Sequence, residues 1–139
     1  MNIKNITIDE FNRLAEERQT LNLRLNESNL DQYLNNQPHK SAQFEVDLQF
    51  DTLSTGDIRL TTHVIGTIAI ECVRCSKYID FIIDESVAEI VTSKDTLGQK
   101  ASLCISDILS DHGKIDLLRL VEDTIYLLIP MHPRHEICL

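Results

Sequence analysis

The feature that most constrains the fold is a period of two that starts at Gln43 and returns, after one polar turn, as far as Cys72. Phe44, Val46, Leu48 and Phe50 share one parity while Glu45, Asp47 and Gln49 take the other. Such alternation marks a strand with one face buried and one in water. Beyond a turn ending at Gly56, the even positions Ile58, Leu60, Thr62, Val64, Gly66, Ile68, Ile70 and Cys72 continue the inward parity. A strand this long coils, and Gly66, which has no side chain, is a natural bending point on it. A third strand takes in Ile79, Phe81 and Ile83 and runs on towards Val91. The pattern predicts an antiparallel meander of three strands, barrel-like if the coiling closes it.

Helical signals lie on either side. Thr7-Ile8-Asp9-Glu10 is a capping box, and Ile6 with Phe11 supplies the hydrophobic staple. A helix from about Ile8 to Arg18 follows, its narrow stripe of Phe11, Leu14 and Ala15 suited to docking on a sheet. Ser28 caps a second short helix through Leu34, ended by Asn35-Asn36-Gln37-Pro38. Thr92 to Ser102 reads as a polar, mobile loop, and Cys104 to Leu109 as a short strand. Asp116 is an N-cap for a helix of Leu117 to Ile129 stopped by Pro130. Its stripe is Leu118, Val121, Ile125 and Leu128, widened by Leu117 and Leu120. The expected fold is α+β: a meander packed with a C-terminal helix and short N-terminal helices, in one domain spanning residues 1–139, with 1–40 a helical N-terminal segment and 41–139 the core.

A chain of 139 residues, 42% hydrophobic, can bury a core without covalent staples. Its longest apolar stretch, Ile125 to Met131, is too short to span a bilayer, so no membrane partner and a cytoplasmic location are expected. Four cysteines in such a compartment are reduced, which favours metal binding, thiol chemistry or core packing over disulfides. The net charge of −9 argues against broad attraction to nucleic acid. Residues 1–40 hold five basic and six acidic side chains and residues 41–139 eight and sixteen, so the acidity belongs to the second part. That is either a solvated face or a surface for a basic protein.

Glu71-Cys72-Val73-Arg74-Cys75-Ser76-Lys77 carries the one constellation with chemistry in it. If the flanking strands pair, Cys72 and Cys75 face each other across a two-residue tip, Val73-Arg74. Such a turn asks for positive φ angles that a β-branched residue resists. A tetrahedral zinc held by two thiolates would fix it. His135 and Cys138, spaced H-x2-C in the tail, complete a Cys3His set, with His132 in reserve. The 59 residues between the pairs exceed a compact finger, so the metal would tie tail to hairpin. The alternatives are unliganded thiols near a surface, or a dithiol redox pair, for which a strand end is a poor setting because thiols are activated at helix N-termini. Cys104 is most simply a small core residue. His39, His63 and His112 stand alone and default to surface or hydrogen-bonded structural roles.

No G-x-S-x-G elbow, phosphate-cradling glycine loop or paired catalytic carboxylates occur, so no enzyme and no small-molecule substrate are expected. Arg74, Lys77 and Arg134 flank the cysteine pair and the tail motif, a basic spot able to touch RNA phosphate or simply to solvate the surface.

The order of an alternating strand, C-x-R-C, a loop, Ile115-Asp116-Leu117-Leu118-Arg119-Leu120-Val121-Glu122-Asp123, Pro130, then His and Cys, resembles the YceD family over roughly residues 40–138. The resemblance implies a role in accumulation of large-subunit ribosomal RNA, with no assigned reaction and a gene commonly beside that of a large-subunit ribosomal protein. The family's marked positions fall on Cys72, Arg74, Cys75, Asp116, Leu117, Val121, Glu122 and Pro130, and less firmly on His135 and Cys138. Relatives continue past this cysteine with a charged tail, whereas this chain stops at Leu139, so nothing is implied here about contacts of such a tail. The expected function is a non-catalytic ribosome biogenesis factor for 23S rRNA, with pre-rRNA or an early large-subunit ribosomal protein as partner. The alternatives are a dithiol redox protein using Cys72 and Cys75, or a zinc-stabilised adaptor for a basic ribosomal protein.

Overall fold

The computed structural model describes residues 3–26, 39–92, 102–104, 108–109, 112–130 and 134–135, with only the backbone described at 39–40 and 102–104. The expected helix of Ser28 to Leu34, most of the Thr92 to Ser102 loop and the side chain of Cys104 lie outside that description. Chain order is α1 (Ile8–Glu16), β1 (Thr20–Asn26), β2 (His39–Thr52), β3 (Ile58–Glu71), β4 (Tyr78–Thr92), β5 (Ser102–Cys104) and α2 (Leu117–Leu128).

The three predicted strands are β2, β3 and β4, and they pair antiparallel in the order of the meander. Two corrections apply to the sheet. β1, which falls inside the segment of residues 1–40 expected to be helical, adds a fourth antiparallel strand beside β2, with Leu21, Leu23 and Leu25 opposite Leu48, Val46 and Phe44. A short β5 runs parallel to β4 and ends at Cys104, where the expected strand began. Among the described residues the sheet is open, with β1 and β5 as its edges, and is not closed into a barrel.

Inward parity survives throughout. Phe44, Val46, Leu48, Phe50, Ile58, Leu60, Val64, Ile68 and Ile70 all enter one core together with Ile6, Phe11, Ile115, Leu117, Val121 and Ile125. Gly66 stands opposite Phe44, and a Cβ there would come within 2.6 Å of the Phe44 ring. The glycine therefore permits two strand backbones and a phenyl ring to meet where any side chain would collide.

The helices cover the core face, α1 on β2 and β3, α2 on β3 and β4. Thr7 caps α1 by accepting the amide of Glu10 at 3.1 Å, and Phe11 meets Phe50 edge-on at 5.8 Å. The helix ends at Glu16, two residues short of expectation, because Arg18 turns left-handed at φ 52°. The Gln19 amide then donates to the Leu14 carbonyl and the Arg18 amide to that of Ala15, the Schellman pattern. α2 is capped by Asp116, which accepts the Arg119 amide at 3.1 Å. Its deepest face is Leu117, Val121 and Ile125 rather than Leu118 and Leu128, which are only partly buried, and Glu122 shares the buried side.

Candidate metal centre

β3 delivers Cys72 on its inward parity, and the side chain is 1% exposed. The expected two-residue turn does not form. Glu71 pairs with Tyr78, the Cys72 amide donates to the Lys77 carbonyl at 2.8 Å, and the Ser76 amide donates to the Cys72 carbonyl at 3.0 Å. Four residues, Val73 to Ser76, thus make the tip, and the left-handed position is Ser76 at φ 62°. Val73 and Arg74 are spared the positive φ that made them look unsuitable, and backbone hydrogen bonds close the turn without calling on a metal. Nor do the cysteines face each other: Cys72 closes the loop opposite Lys77, and Cys75 lies within it.

The loop curls its amides around one sulfur. The Arg74 amide donates to Cys72 Sγ at 3.4 Å, and that of His135, 63 residues on, at 3.5 Å. Burial pushes the Cys72 thiol up, but the amides of Cys75, His135 and Arg74 and the His135 side chain outweigh it and bring the pKa down to about 5. Cys72 is therefore set up as a thiolate, the form that ligates metal.

Cys75 Sγ is 3.3 Å from His135 Nδ1, and the ligand atoms of Cys72, Cys75 and His135 all lie within 4.8 Å of one another. A tetrahedral zinc with bonds of about 2.0–2.3 Å brings its N and S ligands to about 3.5–3.8 Å apart, a spacing this trio reaches with small rotamer changes. Two soft sulfurs and an imidazole suit zinc over magnesium or calcium, which take oxygen. Cys138 and His132 lie outside the described residues, so three of the expected ligands are brought together. Arg74, Lys77 and Arg134 are all exposed around the cluster.

A family model described as "Large ribosomal RNA subunit accumulation protein YceD" matches residues 60–138, from near the start of β3 through the cysteine tip and α2 to the tail. The chain belongs to the YceD family. No curated protein and no solved structure matches it. The YceD description ties the chain to accumulation of large-subunit ribosomal RNA and names no reaction. No helix among the described residues is long and apolar enough to cross a membrane.

Some features of the YceD tip escaped the sequence. Ser76 gave no signal, since serine is not a preferred left-handed residue as glycine and asparagine are. Val73 and Tyr78 are exposed beside the basic residues, 58% and 46% respectively, which strand parity could have suggested for Tyr78. His63, expected as a surface or hydrogen-bonded histidine, contacts Asp84 at 2.8 Å on the outer face of the sheet.

Proposed function

We propose that the protein is a non-catalytic factor that supports accumulation of 23S rRNA by holding precursor RNA at a hairpin tip to which zinc pins the tail. The observation that carries this reading is the meeting of Cys72 and Cys75 with His135 across 60 residues of chain, with Arg74, Lys77 and Arg134 exposed around them. Zinc would pin the tail against the tip, and pinning sets Arg134 beside Arg74 and Lys77 as a basic spot on an otherwise acidic chain. Phosphate contact needs such a spot, because the body repels nucleic acid. Tyr78 at its margin offers a ring on which an unpaired base can stack.

The dithiol redox alternative has one observation behind it, the low pKa of Cys72. Exchange also needs access, and Cys72 is buried, so the same thiolate is better used as a ligand.

Depletion of the protein in its host, followed by measurement of 23S relative to 16S rRNA, tests the reading. The ratio should fall, recover with the wild-type chain, and fail to recover with Cys75→Ala. An unchanged ratio in depleted cells would overturn it.

A further inference from the structure

The sheet face turned away from the helices is polar along β1 and β2, yet two isoleucines stand exposed near its centre, Ile65 at 46% and Ile82 at 72%. Single exposed apolar residues are ordinary; their setting here is not. Ile65 lies directly opposite Glu45 on β2 and Asp84 on β4. Ile82 lies opposite Thr67, with Asp80 and Asp84 two residues to either side on the same face. Each isoleucine is therefore bracketed by carboxylates.

Several of these acids are held in place. Asn22 Nδ2 donates to Glu45 at 3.2 Å and to neighbouring Asp47 at 2.6 Å, and Asp84 is in contact with His63. Beside Ile65 the face dips into an open groove of about 430 Å³ lined by Arg24, Asn26, Gln43 and Glu45. The groove itself carries a cation, Arg24, beside Glu45. The face around the two isoleucines is nonetheless acidic through Glu45, Asp47, Asp80 and Asp84, and an apolar patch set among carboxylates asks for a ligand with the complementary pattern.

That requirement selects among occupants. A second copy of this face would bring Glu45, Asp80 and Asp84 against like charges, and RNA would meet the same repulsion. A segment carrying apolar side chains between lysines or arginines satisfies both halves of the pattern. We propose that the outer face around Ile65 and Ile82 is a docking surface for a basic protein segment of this kind. The choice of source, a large-subunit ribosomal protein, rests on the function proposed above; the chemistry of the surface does not. The chain would then join RNA at its basic tip to a basic protein on its acidic sheet.

The test offers RNA-free proteins extracted from purified large ribosomal subunits to the immobilised full chain and identifies what is retained. The wild-type chain should retain a basic protein, with retention falling as salt is raised. Ile65→Thr/Ile82→Thr should lower that retention by about tenfold, threonine being an equally good strand residue on an exposed face. Glu45→Gln/Asp80→Asn should also lower it, and keeps the test decisive if the first variant fails to fold. Retention of nothing, retention indifferent to both variants, or loss on Arg74→Ala instead would overturn the proposal. Because the components are purified, an unchanged 23S-to-16S ratio in cells combined with variant-sensitive retention here would sink the function reading and leave this surface standing.

Discussion

Cys75 Sγ and His135 Nδ1 lie 3.3 Å apart although 60 residues separate them in the chain. Contacts of that sequence separation cost loop entropy, and a hydrogen bond at a partly exposed site returns little of it. A metal bond returns more. Purified without chelator, the protein should carry about one zinc per chain, by the ligand chemistry of the trio. Chelation should lower the thermal midpoint by roughly 5–10 °C, the scale of about 2 kcal/mol in a domain this size. The core does not depend on the tip, so the chelated protein should keep its far-ultraviolet circular dichroism. A metal-free preparation with an unaltered midpoint after chelation would dispose of the site.

The two tip cysteines should also differ in reactivity once metal is removed. The Cys72 thiol is brought down to about 5 but is buried, whereas Cys75 is only partly buried. Alkylation requires both thiolate and access. With chelator present, iodoacetamide should label Cys75 first, and with zinc present neither should react quickly. Rapid labelling of Cys72 in the untreated protein would instead favour the dithiol redox reading.

Gly66→Ala should be among the most damaging substitutions in the sheet. The new methyl would run into Phe44, which pairs with residue 66 across β2 and β3 and is itself 3% exposed. Overpacking of a dry core costs about 1–3 kcal/mol, and here backbone must shift as well. Urea unfolding should show a loss of about 3 kcal/mol with little change in slope.

That glycine was legible because the even parity of β3 placed it inward among Val64, Ile68 and Ile70. Parity carries far when one face is dry, since a slip by one residue would expose every apolar side chain of the strand. The same logic could have found Ile65 and Ile82, which break the rule by occupying outward positions. β1 escaped because Leu21, Leu23 and Leu25 alternate over only seven residues, between a helix and a capping serine that both argue for helix. The cysteine site divides likewise. Ligand types and spacing brought Cys72, Cys75 and His135 together on paper, but the tip was misread as two residues, because hydrogen bonding to a carbonyl four residues back leaves no mark on composition.

Two carboxyls should add stability on mild acidification, against the Cys72 thiolate, whose contribution is lost as pH falls towards about 5. Burial holds the Glu122 carboxyl above its ordinary value of 4.5, assisted by Asp116 and Asp123 and opposed by Lys4 and Arg119. Burial and Asp123 act on Glu89 in the same direction. For a raised acid the folded state binds the proton more tightly than the unfolded state, so its contribution grows as pH falls towards 4.5 and is lost above the raised value. Glu122→Gln should flatten this dependence and raise the midpoint at pH 7 by about 2–4 °C. Thermal melts of both proteins across the acid range decide it by their difference, in which the Cys72 contribution cancels: parallel curves, or a gap that widens as pH falls, would contradict the assignment.

RNA binding at the tip should be electrostatic and dependent on its scaffold. Arg74 and Arg134 are exposed and come from segments that, among the described residues, meet at Cys72, Cys75 and His135. Arg74→Ala and Arg134→Ala should each weaken binding to a single-stranded fragment of precursor 23S rRNA. Each should also reduce the slope of log affinity against log salt by about 0.7, the value for one phosphate contact on a single strand. Neither should change zinc content, since neither side chain is a ligand. His135→Ala should lower zinc content and affinity together, because releasing the tail moves Arg134 away from Arg74. If His135→Ala removed the metal yet left the affinity and its salt slope intact, the tip and the RNA contact would be independent, and zinc would have no part in recognition.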